Sequence, residues 1–170
     1  MKAWALVFAV IGGLAIGTQP LLNGALGRTR GVFEAVFVSI TVSYAAVVLL
    51  LALKAARGLP LGLPLSGWVA AVEAAALVLA VLALAIVGRD IAPWYFSAGL
   101  LGVIVLVAGT VATPILGVGL TTAALTAGQL GIAIVWDQVG VLGLPETAIS
   151  PQRIVGMLLV VAGVVLIRGL

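Results

Sequence analysis

The sequence predicts an all-α fold, a polytopic transmembrane helical bundle of about six spans, and three observations predict it. Apolar residues make up 64% of the chain and charged residues only 8%, against about half and a quarter in soluble domains. The apolar stretches run for ~20 residues, the length that crosses the hydrocarbon of a bilayer as a helix, and they lack the alternation of a barrel strand. Between them lie clusters of glycine and proline, which end helices. A backbone cannot leave its polar groups unpaired in hydrocarbon, so these stretches are helices.

The first stretch runs from Ala3 to Leu26. Lys2 followed by the apolar run to Ala15 has the layout of a secretory leader, but the run continues past it and carries polar residues, so it reads as the first span. Pro20 removes a backbone donor there and predicts a kink. A break from Gly27 to Gly31 leads into a second helix, Val32 to Lys54. Gly58, Pro60, Gly62 and Pro64 separate it from a third, Gly67 to Val87. Gly88 to Pro93 precede a fourth, Pro93 to Thr113, and Pro114 to Gly119 a fifth, Leu120 to Val139. Gly140 to Pro151 then lead to the sixth, Ile154 to Ile167. None of the breaks could hold a separate domain, so residues 1–170 read as one transmembrane domain.

Tryptophan placement agrees with these limits. Trp4, Trp68, Trp94 and Trp136 all fall at predicted helix ends, where amphipathic rings favour the headgroup level. Gly13 and Gly17 form a small-residue pair at GxxxG spacing, and Gly99, Gly102, Gly128, Gly131, Gly156 and Gly163 follow in later helices. Such residues let helix backbones approach closely.

Charge excludes several function classes. The chain has no cysteine and no histidine, which removes disulfide frameworks, thiol nucleophiles, imidazole bases and the usual zinc ligand sets; no metal or cofactor is expected. Eight basic residues against five acids give +3, without a basic run to follow a phosphate backbone, so nucleic acid is not an expected partner. With six spans, Lys2, Lys54, Arg57 and Arg168 lie on one side of the bilayer and Arg28, Arg30, Arg89 and Arg153 on the other, four against four. The positive-inside rule then sets no single orientation, and an even split suits a chain that inserts both ways. If one segment does not span, a five-helix count gives five against three.

Polar residues inside hydrocarbon are costly, and each is a candidate for function. Gln19 and Asn23 are four apart, on one face of the first helix around Pro20; they offer donors and acceptors to a solute or to a neighbouring helix. Gln129, beside Gly128, falls near the middle of the fifth helix, and Asp137 near its end, where an ion pair or cap is the plainer role. Glu34, Phe37, Thr41 and Tyr44 recur at helical spacing on the second helix, with Glu34 also placed to offset the N-terminal dipole. Glu73 lies roughly 10 Å into the third span by the helical rise, with no basic residue within a turn. A carboxyl so placed can exchange protons near neutral pH. Gln19, Asn23, Gln129, Tyr44 and Trp94 are therefore the expected substrate-binding residues, and Glu73, Glu34 and Asp137 the candidates for proton coupling.

These residues carry a resemblance. The segment Gly17-Thr18-Gln19-Pro20-Leu21-Leu22-Asn23-Gly24-Ala25-Leu26-Gly27-Arg28 is similar to the amino-terminal pattern of the short YdcZ-type inner-membrane exporters of the drug/metabolite transporter superfamily. The order Pro93-Trp94, Gly99, Gly102, Gly117, Ala127-Gly128-Gln129, Asp137, Gly140, Leu142-Gly143-Leu144-Pro145, Arg153, Gly156 and Ala162-Gly163 resembles its second half. The resemblance covers about two-thirds of the chain and implies a half-transporter that pairs with an inverted copy, usually with five helices. Gly67 to Val87 departs from that pattern as an additional segment and changes the parity of the chain.

The expected function is a secondary transporter subunit of the inner membrane, acting as a homodimer and exporting a small organic solute, with proton coupling as an option. The competing reading is a non-transporting scaffold or accessory subunit, in which the amides are interhelical glue; a water-accessible cavity holding Gln129 would separate the two. No nucleophile–base pair supports an enzyme.

Overall fold

The computed structural model describes residues 3–62 and 67–168, with side chains described to residue 166. Lys2, Pro64 and the side chain of Arg168 lie outside the described residues. Those described are helical and turn residues with no strand: α1 (Ala3–Arg30), α2 (Val32–Ala56), α3 (Gly67–Val87), a 3-10 turn (Pro93–Phe96), α4 (Ser97–Leu116), α5 (Val118–Val139), a second 3-10 turn (Val141–Gly143) and α6 (Pro151–Arg168). The first five helices are long and apolar enough to cross a membrane, and α6 is a shorter apolar helix. The segment Gly67–Val87 is therefore as well suited to span as any other.

Three breaks are tighter than the sequence suggested. α1 continues through Gly27 to Arg30, and the chain turns only at Gly31, whose φ of 114° an L-residue rarely adopts. α4 runs on through Pro114 to Leu116, and Gly117, at φ 80°, ends it. α6 begins at Pro151 rather than Ile154 because proline suits the first helical position, where its missing N–H costs nothing. Ser150 precedes it, its Oγ accepting a hydrogen bond from the Arg153 N–H at 3.3 Å.

α1 is the centre of the bundle, packed against α5 and α4 and, less extensively, α2. Its inward face is mostly small: Ala5, Ala9, Gly12, Gly13, Ala15 and Ala25 are buried, together with Leu21, Leu22 and Leu26. A Cβ on Gly13 would stand 2.9 Å from Gly128 Cα, and one on Gly128 3.1 Å from Gly13 Cα, so the two backbones touch. Gly17 meets the Gln129 carbonyl in the same way. The GxxxG pair is thus used inside the chain, in the α1–α5 seam. Hydrocarbon offers no hydrophobic drive between helices, so close backbone packing supplies the contact energy. Among the described residues only Leu26 and Val38 are large and fully enclosed. α3 and α6 flank this core, α3 chiefly on α2 and α6 on α5, and neither buries a described residue.

The two ends of the bundle differ in charge. Arg28 donates to the carbonyls of Gly143 and Leu142, both at 2.8 Å, and Arg30 to the Arg89 carbonyl at 3.2 Å. Arg153 Nη1 lies 3.1 Å from Asp137 Oδ2. These contacts gather the ends of α1, α3 and α5 and the starts of α2 and α6, and with them Glu34, Asp90, Asp137 and Glu146. Of the five acids, Glu73 alone sits elsewhere.

Candidate functional site

Most of the residues singled out in the sequence fall into three places. The first is a cavity of about 600 Å³ where α1 meets the start of α2, lined by Gln19, Pro20, Asn23, Gly24, Gly27, Arg28, Val32, Ala35 and Val36. The spacing of Gln19 and Asn23 puts both on its wall. The Gln19 amide reaches towards α4, where Gly102 leaves it room: a Cβ there would lie 3.1 Å from Gln19 Nε2 and 3.2 Å from Ser43 Oγ. Arg28 closes one end with a guanidinium held by the Leu142 and Gly143 carbonyls.

The second cavity, about 330 Å³, lies across α1 and holds Gln129 with Gly17, Pro20, Trp136 and Asp137. Gln129 therefore does not face Gln19 and Asn23; Pro20 borders both cavities and α1 forms the wall between them. Trp136, three residues from the end of α5, is tied to α1. Its Nε1 donates to Thr18 Oγ1 at 3.0 Å, and Thr18 donates in turn to the Leu14 carbonyl at 2.9 Å. Asp137 is joined to α6 through Arg153, and its carbonyl accepts from the Thr147 N–H at 2.7 Å.

The third place is a groove of about 440 Å³ between α2 and α3, containing Tyr44 and Glu73. Tyr44 Oη donates to Glu73 Oε2 at 2.6 Å. Glu34 lies in a shallower hollow with Phe33, Phe37 and Val87 and folds back over Gly31. Thr41, from the same predicted stripe, is buried. Trp94 is 56% exposed in the 3-10 turn and lines none of the three.

Among the described residues, the interhelical side-chain hydrogen bonds within the apolar helices run from Ser43 to Gly99, Tyr44 to Glu73 and Trp136 to Thr18. The amides of Gln19, Asn23 and Gln129 take part in none of them. Sequence reasoning missed Arg28 as a cavity residue, having read it as a topological charge and as part of the family's amino-terminal pattern, and missed the roles of Ser43 and Thr18, which look like ordinary hydroxyls until their partners are known. Among the described residues no group of three acidic side chains could hold a metal ion.

The sequence pattern of the family described as "Putative inner membrane exporter, YdcZ" matches residues 4–166. The chain belongs to this family. Gly67–Val87 lies within the matched residues. No curated protein and no solved structure matches it. With five apolar helices long enough to cross a membrane, this family member is a multi-pass inner-membrane protein, and its family supports a transporter.

Proposed function

We propose that the chain is one subunit of a secondary transporter that exports a small organic solute, held at the cavity of Gln19 and Asn23. The observation that supports it is the state of the amides: two of them line a cavity of about 600 Å³ without a partner across the helices. Interhelical glue would have placed them on a neighbouring backbone. The volume is that of a small-molecule site, and amide donors and acceptors with Arg28 at one end suit a solute with polar groups. Gln129, across α1, lines the continuation of the path, and Asp137 is kept from coupling by its own cation, Arg153. Glu73, which accepts a hydrogen bond from Tyr44 Oη and has no cation beside it, is the remaining candidate for coupling within the helices.

A half-size chain supplies one repeat of a transporter and a second copy the other, with the site between inverted repeats. The even division of basic residues favours a homodimer of opposed copies. Reporter fusions at Leu170 give signal on both faces of the membrane if so; a single orientation would remove the opposed pairing.

The export reading is tested in two steps. Protein in nanodiscs is screened by thermal shift against small polar metabolites, and the compound with the largest shift is loaded into proteoliposomes. Gln19→Leu and Asn23→Leu each slow its release about tenfold, the loss of one polar contact of ~1.4 kcal/mol, with helicity unchanged. Release at the wild-type rate from both variants would overturn the assignment of the cavity.

A further inference from the structure

The structure assigns a small organic anion, a monocarboxylate with an apolar middle, to the cavity of Gln19 and Asn23, with the Arg28 guanidinium as its counter-charge. This deepens the export reading and rests on its placement of the solute in that cavity.

The first observation is a cation without an anion. Arg28 supplies the charge among the residues that line the cavity. Its guanidinium donates to the Gly143 and Leu142 carbonyls, each at 2.8 Å, and a carbonyl accepts a hydrogen bond without cancelling a charge. The acids gathered at this end of the bundle are engaged elsewhere: Asp137 is taken by Arg153, Glu34 folds over Gly31 and Glu146 over Gly140, while Asp90 follows α3. Among the described residues no carboxylate lies within ion-pairing distance of Arg28. A guanidinium has five N–H donors in a planar fork, so two carbonyls leave donors free. A carboxylate matches that fork in geometry as well as in charge.

The second is the wall between this charge and the amides. Pro20, Val32, Ala35 and Val36 are apolar. Asn23 and Gln19 lie five and nine residues before Arg28 on α1, about 8 and 14 Å by the helical rise. A solute with its carboxylate on Arg28 therefore runs past Asn23 along an apolar stretch, and a hydrogen-bonding group at its far end reaches Gln19. A cation would meet the guanidinium with no acid on the wall to hold it. An uncharged solute would leave the free donors of Arg28 to water.

The third is the room at Gly24. This residue lines the cavity, and a Cβ on it would meet nothing within 4 Å. The turn of α1 between Asn23 and Arg28 thus presents bare backbone to open space, and a side chain added there would occupy the site without striking the fold.

The experiment measures equilibrium binding of 4-(4-hydroxyphenyl)butanoate and of its uncharged carboxamide to the full chain in nanodiscs of zwitterionic phosphatidylcholine. The wild type binds the carboxylate about tenfold more tightly than the carboxamide, the worth of one hydrogen bond to a charged group. Arg28→Gln removes this preference by weakening the carboxylate alone, and the unchanged carboxamide affinity shows that the cavity is intact. Arg28→Lys keeps most of the preference, which separates lost charge from lost fold. Gly24→Leu weakens both compounds about tenfold with helicity unchanged. A small share of phosphatidylglycerol, too little to charge the disc surface, leaves the affinities as they were; competition by it would give Arg28 to a lipid headgroup and overturn the assignment. Absence of carboxylate binding, equal wild-type affinity for the two compounds, or a preference that survives Arg28→Gln also overturns it, and the export reading still stands if Gln19→Leu slows solute release. Unchanged binding of both compounds to Gly24→Leu would remove the solute from this cavity and take the export reading's site with it.

Discussion

The α1–α5 seam and the α2–α3 groove are both contacts between two apolar helices, yet they are built in opposite ways. In the seam glycine faces glycine, and Gly13 and Gly128 leave no space between backbones. In the groove Val47, Leu51 and Leu77 hold the helices apart around a volume of about 440 Å³, and one hydrogen bond, Tyr44 to Glu73, joins them. Since lipid competes equally with a helix for apolar side chains, only the close backbone contact of the seam favours helix over lipid strongly. The difference separates a frame, α1 with α4 and α5, from a helix, α3, that can move or admit a guest at little cost.

The comparison breaks most severely at the seam. Gly128→Ile would drive a side chain into the Val10 carbonyl and Gly13 Cα, and an overpacked contact of this kind costs about 3 kcal/mol; unfolding in mixed micelles followed by circular dichroism reads the loss. Retention of wild-type stability would mean that the two backbones do not touch. Arg28→Met removes both donors to the loop after α5 and is expected to cost about 2 kcal/mol, in the range for hydrogen bonds from a charged group. Tyr44→Phe, which deletes the one hydrogen bond across the groove, should cost only about 0.6 kcal/mol. A cost equal to that of Gly128→Ile would show that the groove is part of the frame. Least of all, Gly131→Ala on the same helix as Gly128 meets nothing within 4 Å, and the gain in helix propensity makes it neutral or stabilising by up to about 1 kcal/mol.

That last pair marks what could be read from the sequence. Five of the helices follow from apolar runs of bilayer length and α6 from a shorter one, a property of each segment alone, and α3 begins and ends where its composition places it. Gly128 and Gly131 look alike in the sequence because what distinguishes them is a partner more than a hundred residues away. For the same reason Gly27 and Pro114 were expected to stop helices that run through them; both are tolerated near a helix end, and the residues that turn the chain are Gly31 and Gly117. At the site, Gln19 and Asn23 share a cavity because helical spacing alone aligns them. Gln129 was grouped with them on chemistry, and the fold puts α1 between. Tyr44 and Glu73 were both noticed, but their pairing needed the α2–α3 hairpin to bring them together.

The Arg28 clasp and the glycine seam also fix an order of events during synthesis. The donors on Arg28 meet carbonyls 114 and 115 residues later in the chain, and synthesis at about 5–20 residues per second makes that a wait of several seconds to tens of seconds. Throughout it the first helix stands in the membrane with its narrow glycine face uncovered and its arginine unanswered, while the second, third and fourth helices arrive. A nascent chain arrested before residue 118 should therefore be held loosely and be open to proteolysis or exchange with other helices, and should tighten only once α5 has entered the bilayer.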